Sequence, residues 1–252
     1  MSGFDTIAGF GVLLVRPGLL VIGTPFLGAV HAPATLRVGL IVLLAVVLAP
    51  LVAVPAAVTA PELVALLARE LAIGLALALG IRALVMGAEL AGHLTGYQIG
   101  LSMGSMIDPQ TGVRNTMIAV LYANVAIVVM FATNAHHLLI RALADSYTAL
   151  PIGGGGIDGS LVGSVAQLLG LVFVLGVRIA APVIVVLLVV ELALGVVARV
   201  APALNVMMSG APVRLAVGLL VAAATVTAMP AIVTRYVPEV LSLAIETARA
   251  FR

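Results

Sequence analysis

The chain has 252 residues, 63% of them hydrophobic and 9% charged, with a mean hydropathy of +1.30. That excludes a soluble domain of this length and points to a multi-spanning integral membrane protein. Twelve arginines and no lysine against ten acids give a pI of about 9.5, a small excess that suits interfacial anchoring and is too thin for a nucleic-acid partner, and the absence of cysteine removes disulfide and thiol chemistry.

In chain order, the opening MSGFDTIAGF carries no basic residue before Arg16, so it lacks the basic region of a cleavable signal peptide, and the first apolar segment is expected to be retained. Apolar runs long enough to cross a bilayer lie near 7–30, 38–58, 62–86, 116–133, 161–198 and 213–233, six in all. Arg16-Pro17 and Pro25 interrupt the first, and the fifth is overlong and carries Arg178 and Pro182, so both are expected to be broken or bent. Such breaks persist at membrane depth where protein or a water-lined cavity satisfies the freed backbone groups, which argues for a larger assembly or an internal path; simple proline kinks in an ordinary bundle are the plainer reading. The short connection Thr59 to Glu62 predicts a helical hairpin of the second and third segments. Pro151 to Ser160, with four consecutive glycines, reads as a flexible linker, since P-loop spacing and a preceding strand are both missing. Arg37, Arg82, Arg114, Arg199 and Arg214 fall on one side of a six-span arrangement and Arg141, Arg235, Arg249 and Arg252 on the other, which sets no orientation.

The stretch Ala88 to Gly112 breaks the apolar pattern. Ala88, Gly92, Gly96, Gly100 and Gly104 recur every four residues and on a helix form one bare ridge for close packing. Asp108-Pro109 disfavours further helix and Gly112 suits a turn, so the ridge is expected to end there in a shaped loop. Gly100-Leu101-Ser102-Met103-Gly104 also fits the G-x-S-x-G nucleophile elbow, with His93, His136, His137 and Asp108 as conceivable partners. No strand precedes it, and the glycines belong to the longer ridge, so packing accounts for them better than a catalytic serine. Met103, Met106, Met207 and Met208 flank the suspected turns, where flexible thioethers fill irregular gaps.

Charges inside apolar runs call for a reason, because an isolated charge in the bilayer is costly. Glu70 sits beside Arg69, and Glu191 lies deep in the fifth segment, with Arg178 and Arg199 as its nearest expected partners. Glu70 or Glu191 would be the coupling site if the chain were an ion- or proton-coupled transporter of a small solute; the plainer role for Glu191 is a polar contact buried between subunits. Glu89 and His93, four apart, share a helix face and suit a charged pair or a proton relay. His136 and His137 are adjacent and point about 100° apart, so they cannot bind one metal as an i, i+4 pair would, and a polar cap at a helix end suits them better. No metal site or cofactor is expected.

These residues together resemble a known family, the FliR proteins of the bacterial flagellar export apparatus, with their SctT counterparts in type III secretion injectisomes. The resemblance runs along nearly the whole chain: Arg16, Pro25 and Ala32 to Leu40; Glu70 to Gly74; Gly96 to Gly100; Asp108 to Gly112; Asn134 to His137 with Ser146 and Leu150-Pro151; then Arg178 to Pro182, Gly195, Arg199 to Pro202, Asn205 and Gly210 to Pro212. Ala135 stands where the family usually has glycine, and Ala203 where a polar residue is common. The resemblance implies an all-α, non-enzymatic subunit of the export gate in the bacterial cytoplasmic (inner) membrane at the flagellar basal body. It would assemble with FliP and FliQ into a helical bundle around a secretion channel, contact FlhB and membrane lipid, and pass unfolded secreted proteins. The loop formed here by Met103, Ser105, Met106, Ile107, Asp108, Pro109, Gln110, Thr111 and Gly112 would help plug the channel. The expected organisation is a single membrane-embedded domain, with N-terminal helices over 1–86, a ridge helix and plug-like loop over 87–115 and C-terminal helices over 116–252. Glu70, Glu191, Arg178 and Arg199 are its expected buried polar or assembly residues.

Overall fold

The computed structural model describes residues 3–25, 33–52, 59–101, 117–153, 161–201 and 206–249. Its elements are α1 (Gly3–Gly23), α2 (Ala34–Leu48) with a 3-10 turn at Ala49–Leu51, α3 (Ala60–Ile99), α4 (Met117–Ala132), α5 (Ala135–Ala149), α6 (Leu161–Val200) and α7 (Val206–Arg249). The chain is an all-α integral membrane protein. Four helical stretches are long and apolar enough to cross a membrane, Ala34–Leu51, Ala60–Ile99, Gly163–Val200 and Gly210–Ala248, and α4 with α5 makes a fifth if counted as one broken span. The first expected run survives as the shorter apolar stretch Gly9–Gly23.

Local chemistry sets the helix ends. At the start of α3 the Glu62 carboxylate accepts the Thr59 backbone N–H at 2.8 Å, half of a capping box, and Pro61 costs nothing in a first turn whose N–H groups lack intrahelical partners. At its other end Gly100 takes φ 91°; its N–H reaches the Tyr97 carbonyl at 3.1 Å and the Leu101 N–H reaches the Gly96 carbonyl at 3.0 Å, a Schellman stop. The chain breaks between α4 and α5 at Asn134, which holds the left-handed region at φ 57°, where asparagine is tolerated better than most side chains.

Two expectations change. The third run and the ridge from Ala88 to Gly96 are one helix of 40 residues, and that helix stops at Ile99, well before Asp108-Pro109. Gly100 is therefore a helix stop and not part of a packing ridge, because a residue at positive φ leaves the helical face. The first and fifth runs also continue as helix past their inner prolines: Pro17 lies inside α1, which stops at Gly23 before Pro25, and Pro182 lies inside α6. For Pro17 the reason is local. Proline cannot donate to the carbonyl four residues back, Leu13, and that carbonyl instead accepts the Tyr147 hydroxyl at 3.1 Å.

The chain divides into two compact units, one of Met1–Ala83, Met130–Gly170 and Tyr236–Arg252, the other of Leu84–Val129 and Leu171–Arg235. In the first, α1 packs on α2 and runs parallel to the first part of α3, with Arg16 and Leu19 against Gly74 and Gly23 against Ala78. The buried stripe of α1 includes Val12, Leu13, Arg16, Pro17, Leu20 and Val21, a helical rhythm in which an arginine takes an apolar place, and Thr24 is buried just beyond its end. Helix α5 is amphipathic, burying Leu139, Leu143, Ser146 and Tyr147 while Arg141 and Asp145 stay exposed. In the second unit α4 lies on the last part of α3 at Gly92, where a Cβ would stand 2.7 Å from the Ala119 nitrogen and 2.8 Å from the Ile118 oxygen. Helices α6 and α7 form an antiparallel hairpin there, with Leu187 against Gly218, Glu191 against Arg214 and Leu194 against Gly210.

Candidate functional site

Arg16 and Glu70 are both completely buried in the first unit and form a two-pronged ion pair. Gly74 makes this possible. It lies one turn beyond Glu70 on the same face of α3, and a Cβ there would be 3.2 Å from the Arg16 Cα and 2.9 Å from Leu19. With no side chain at Gly74, α1 comes close enough for the guanidinium to lie against the carboxylate.

The remaining donors of Arg16 go to the C-terminal end of α5. Its Nε and Nη2 donate to the two carboxylate oxygens of Glu70, the Nη2 contact at 2.8 Å. Nη1 donates to the Ser146 carbonyl at 3.0 Å and to the Ser146 Oγ at 3.3 Å, and Nη2 also donates to the Leu150 carbonyl at 2.7 Å. A guanidinium has five N–H donors in a planar fork, so these five acceptors saturate it. The acceptors are well chosen electrostatically, since a helix C-terminus carries partial negative charge and carbonyls without helical partners. The Tyr147 ring closes one face, 4.4 Å from the guanidinium carbon, while its hydroxyl holds Leu13. Arg69, the sequence neighbour of Glu70, reaches outward to the Pro151 carbonyl at 3.3 Å. One arginine thus joins α1, α3 and the exit of α5, with its charge neutralised and no donor left over.

The second unit holds a contrasting pair. Glu191 Oε1 and Arg214 Nη2 are 3.3 Å apart across the α6–α7 hairpin, and their side chains are 45% and 37% exposed. This corrects the expected partners of Glu191. Arg178 and Arg199 lie thirteen and eight residues away on the same helix, roughly 20 and 12 Å along its axis, beyond side-chain reach. Both are exposed on this chain, as is Glu191. Nearby, Tyr122 is buried and donates to the Ala222 carbonyl at 3.2 Å, linking α4 to α7.

The other expected residues are placed as follows. Ala88, Gly92 and Gly96 are buried on α3. Glu89 and His93 are half-buried, and the His93 ring stacks on Tyr97 at 6.4 Å. His136 and His137 open α5 with ring centroids 4.2 Å apart, and His136 also meets Phe131 at 5.3 Å. Among the described residues no cluster of three or more His, Cys, Asp or Glu could hold a metal ion. Ser102, Met103, Gly104, Ser105, Met106, Ile107, Asp108, Pro109, Gln110, Thr111 and Gly112 lie outside the described residues, as do the side chains of Met207 and Met208. The segment leading into Ser102 is a helix with a glycine stop, where a nucleophile elbow requires a strand.

The Arg16 clamp was missed because Arg16 was read only as part of an interruption at Arg16-Pro17 and Glu70 only beside its neighbour Arg69. The available signal was charge balance: Arg16 and Glu70 are opposite charges isolated in separate apolar runs, and each needs neutralising at depth.

Comparison with known proteins supplies the context for this clamp. The flagellar biosynthetic protein FliR of Bacillus subtilis (strain 168) is 33% identical over 154 residues, which is 59% of this chain and 57% of that protein. The FliR of Escherichia coli (strain K12) is 32% identical over 124 residues, 49% of this chain and 48% of that protein, and the FliR of Caulobacter vibrioides is 30% identical over 143 residues, 57% of each. The chain therefore matches about half the length of these curated relatives. A family model extends the match to residues 7–240, nearly the whole sequence, and the chain belongs to the Bacterial export proteins, family 1.

Proposed function

We propose that this chain is a subunit of the bacterial flagellar type III protein export gate, helping to form and close the channel through which unfolded proteins cross the cytoplasmic membrane. The observation that carries the reading is the family match over residues 7–240 together with the FliR relatives. Helix length supports it. Helices α3, α6 and α7 have 40, 40 and 44 residues, about 60 to 66 Å each, twice the roughly 30 Å of bilayer hydrocarbon. Apolar helices of that length suit a protein assembly that stands out of the lipid. In this reading the partners are FliP and FliQ, with FlhB alongside, and the complex sits in the inner membrane at the flagellar basal body. The chain acts as a structural and gating element with no catalytic residue of its own. Met103 and Ser105 to Gly112 supply a seal that moves as substrates pass, the methionines closing the aqueous path without a rigid wall.

A small-solute transporter finds no support in the geometry. Both Glu70 oxygens are held by Arg16, and Glu191 is paired with Arg214.

Native mass spectrometry of the tagged chain, extracted in mild detergent from its own membranes, tests the assignment. The expected result is one copy of this chain with several copies of two small membrane proteins. A lone chain or a homodimer would overturn it. For the seal, deleting Ser105 to Gly112 is expected to raise ion leakage through the assembled complex, and unchanged leakage would remove that role.

A further inference from the structure

A threonine inside a helix usually satisfies its hydroxyl by donating to the carbonyl one turn back, as Thr225, Thr234 and Thr247 do to Val221, Pro230 and Leu243 at 2.9, 2.7 and 2.7 Å. Thr95, in the last part of α3, does not. Its side chain is completely buried, and its Oγ1 makes no hydrogen bond among the described residues. A hydroxyl taken out of water into an apolar unit is costly to leave unpaired, so its surroundings decide what it serves.

Those surroundings are polar. Gly92, three residues before Thr95 on the same face of α3, lies against Ala119 of α4. A long side chain on a helix leans over the turn before its own, so Tyr122, three residues after Ala119, carries its hydroxyl back toward this contact. Ile99, one turn beyond Thr95, packs on Gly218 of α7, one turn before Ala222. The Tyr122 hydroxyl donates to the Ala222 carbonyl at 3.2 Å, and the Thr95 and Thr225 hydroxyls both face it. Three hydroxyls from three helices thus converge inside the second unit, with Thr95 and Tyr122 at 0% exposure and Thr225 at 3%.

Counting protons identifies the ligand. Tyr122 commits its proton to Ala222 and Thr225 commits its own to Val221, so each offers a free lone pair, whereas the Thr95 proton is uncommitted. A water molecule completes this set. It accepts from Thr95 and donates one hydrogen to Tyr122 and the other to Thr225, about three bonds being usual for a buried water. Three neutral hydroxyl oxygens with no carboxylate among them suit a metal cation poorly. We propose that Thr95, Tyr122 and Thr225 bind one water molecule that joins α3, α4 and α7 just before the helix stop at Gly100. The site belongs to the packing of the second unit alone and does not depend on the export-gate reading.

Hydroxyl radicals generated by a short X-ray pulse test the site, because a buried side chain is oxidised readily only where a bound water lies beside it. The full chain is purified with its native partners, and tyrosine oxidation rates are read by mass spectrometry. Tyr147 is the control, since it is 4% exposed and its hydroxyl donates directly to the Leu13 carbonyl. In the natural chain Tyr122 is expected to be oxidised roughly fivefold faster than Tyr147, or more. Thr95→Val keeps the shape and removes the hydroxyl, and it is expected to bring Tyr122 down to the Tyr147 rate, while Thr95→Ser keeps the fast rate. General loosening of the unit would raise the rate in Thr95→Val, so a fall reports loss of the water. Equal rates for Tyr122 and Tyr147 in the natural chain would overturn the proposal and leave a direct contact between hydroxyls. A fast Tyr122 rate that Thr95→Val leaves unchanged would overturn it as well. Should Thr95→Val fail to accumulate, Thr225→Val removes another arm of the same site and is read in the same way.

Discussion

The two units each hold an arginine–glutamate pair, and the pairs have opposite surroundings. Arg16 and Glu70 have no exposed surface, and every guanidinium donor is taken. Glu191 and Arg214 are more than one-third exposed and meet through one nitrogen and one oxygen. A closed pair has already met the cost of leaving water and is useful only within the chain, where it fixes three helix segments. An open pair contributes little to its own unit, because an exposed bridge is worth on the order of 0–1 kcal/mol, but it keeps hydrogen-bonding capacity for a neighbour. The same two residue types thus form a closed pair inside one unit and an open pair at the surface of the other.

The strongest way to break this contrast is Glu70→Ala. It strands a buried guanidinium, and removing one partner of a buried pair costs about 3–5 kcal/mol. Chain abundance in the membrane should collapse, and whatever purifies should melt well below the natural protein. An unchanged melt would mean that Arg16 finds another counter-ion and that the clamp is dispensable. Arg16→Lys is the next largest. Lysine keeps the charge but has three donors on a point-like head, so it cannot engage Glu70 with two prongs and also cap both Ser146 and Leu150. Losing those charge-assisted bonds should cost about 1.5–3 kcal/mol, read as an intermediate melting temperature.

How much of this was legible follows the same division. The apolar runs place six of the seven described helices, because membrane-scale hydrophobicity is a sum over twenty residues and survives local irregularities, and they miss α5, whose amphipathic sequence carries no such sum. The continuity of α3 through Gly92 and Gly96 was hidden by the expectation that a glycine-rich stretch and Asp108-Pro109 belong to one stop, whereas the helix ends on the left-handed Gly100. Arg16-Pro17 looked like a break, since the donor that rescues the Leu13 carbonyl comes from Tyr147, 134 residues away. The partner of Glu191 was within reach of simple counting: Glu191 and Arg214 stand about equally far from Pro202 on the two arms of the hairpin. Looking only along one helix missed it.

Tyr147→Phe sharpens the comparison at smaller amplitude. It keeps the ring over Arg16 and deletes the hydroxyl, leaving the Leu13 carbonyl buried without a donor, at a cost of about 1–3 kcal/mol. Adding Pro17→Ala restores an N–H four residues along the helix, so the double variant should recover most of the loss. If Tyr147→Phe costs the same with alanine at position 17 as with proline, the hydroxyl is not compensating for the proline.

The smallest expected effect is also the most discriminating. Glu191→Gln keeps the size and the acceptor oxygen but removes the charge, and for a half-exposed bridge the chain should lose no more than about 1 kcal/mol. Its melting temperature in detergent, free of partners, should barely move. If a neighbour covers the pair in a complex, water is excluded there and an unbalanced Arg214 is then paid for in full. The stability of the complex should therefore fall by more than that of the isolated chain. Equal shifts in both would place the pair in permanent contact with water and reduce the difference between the two units to a difference in depth.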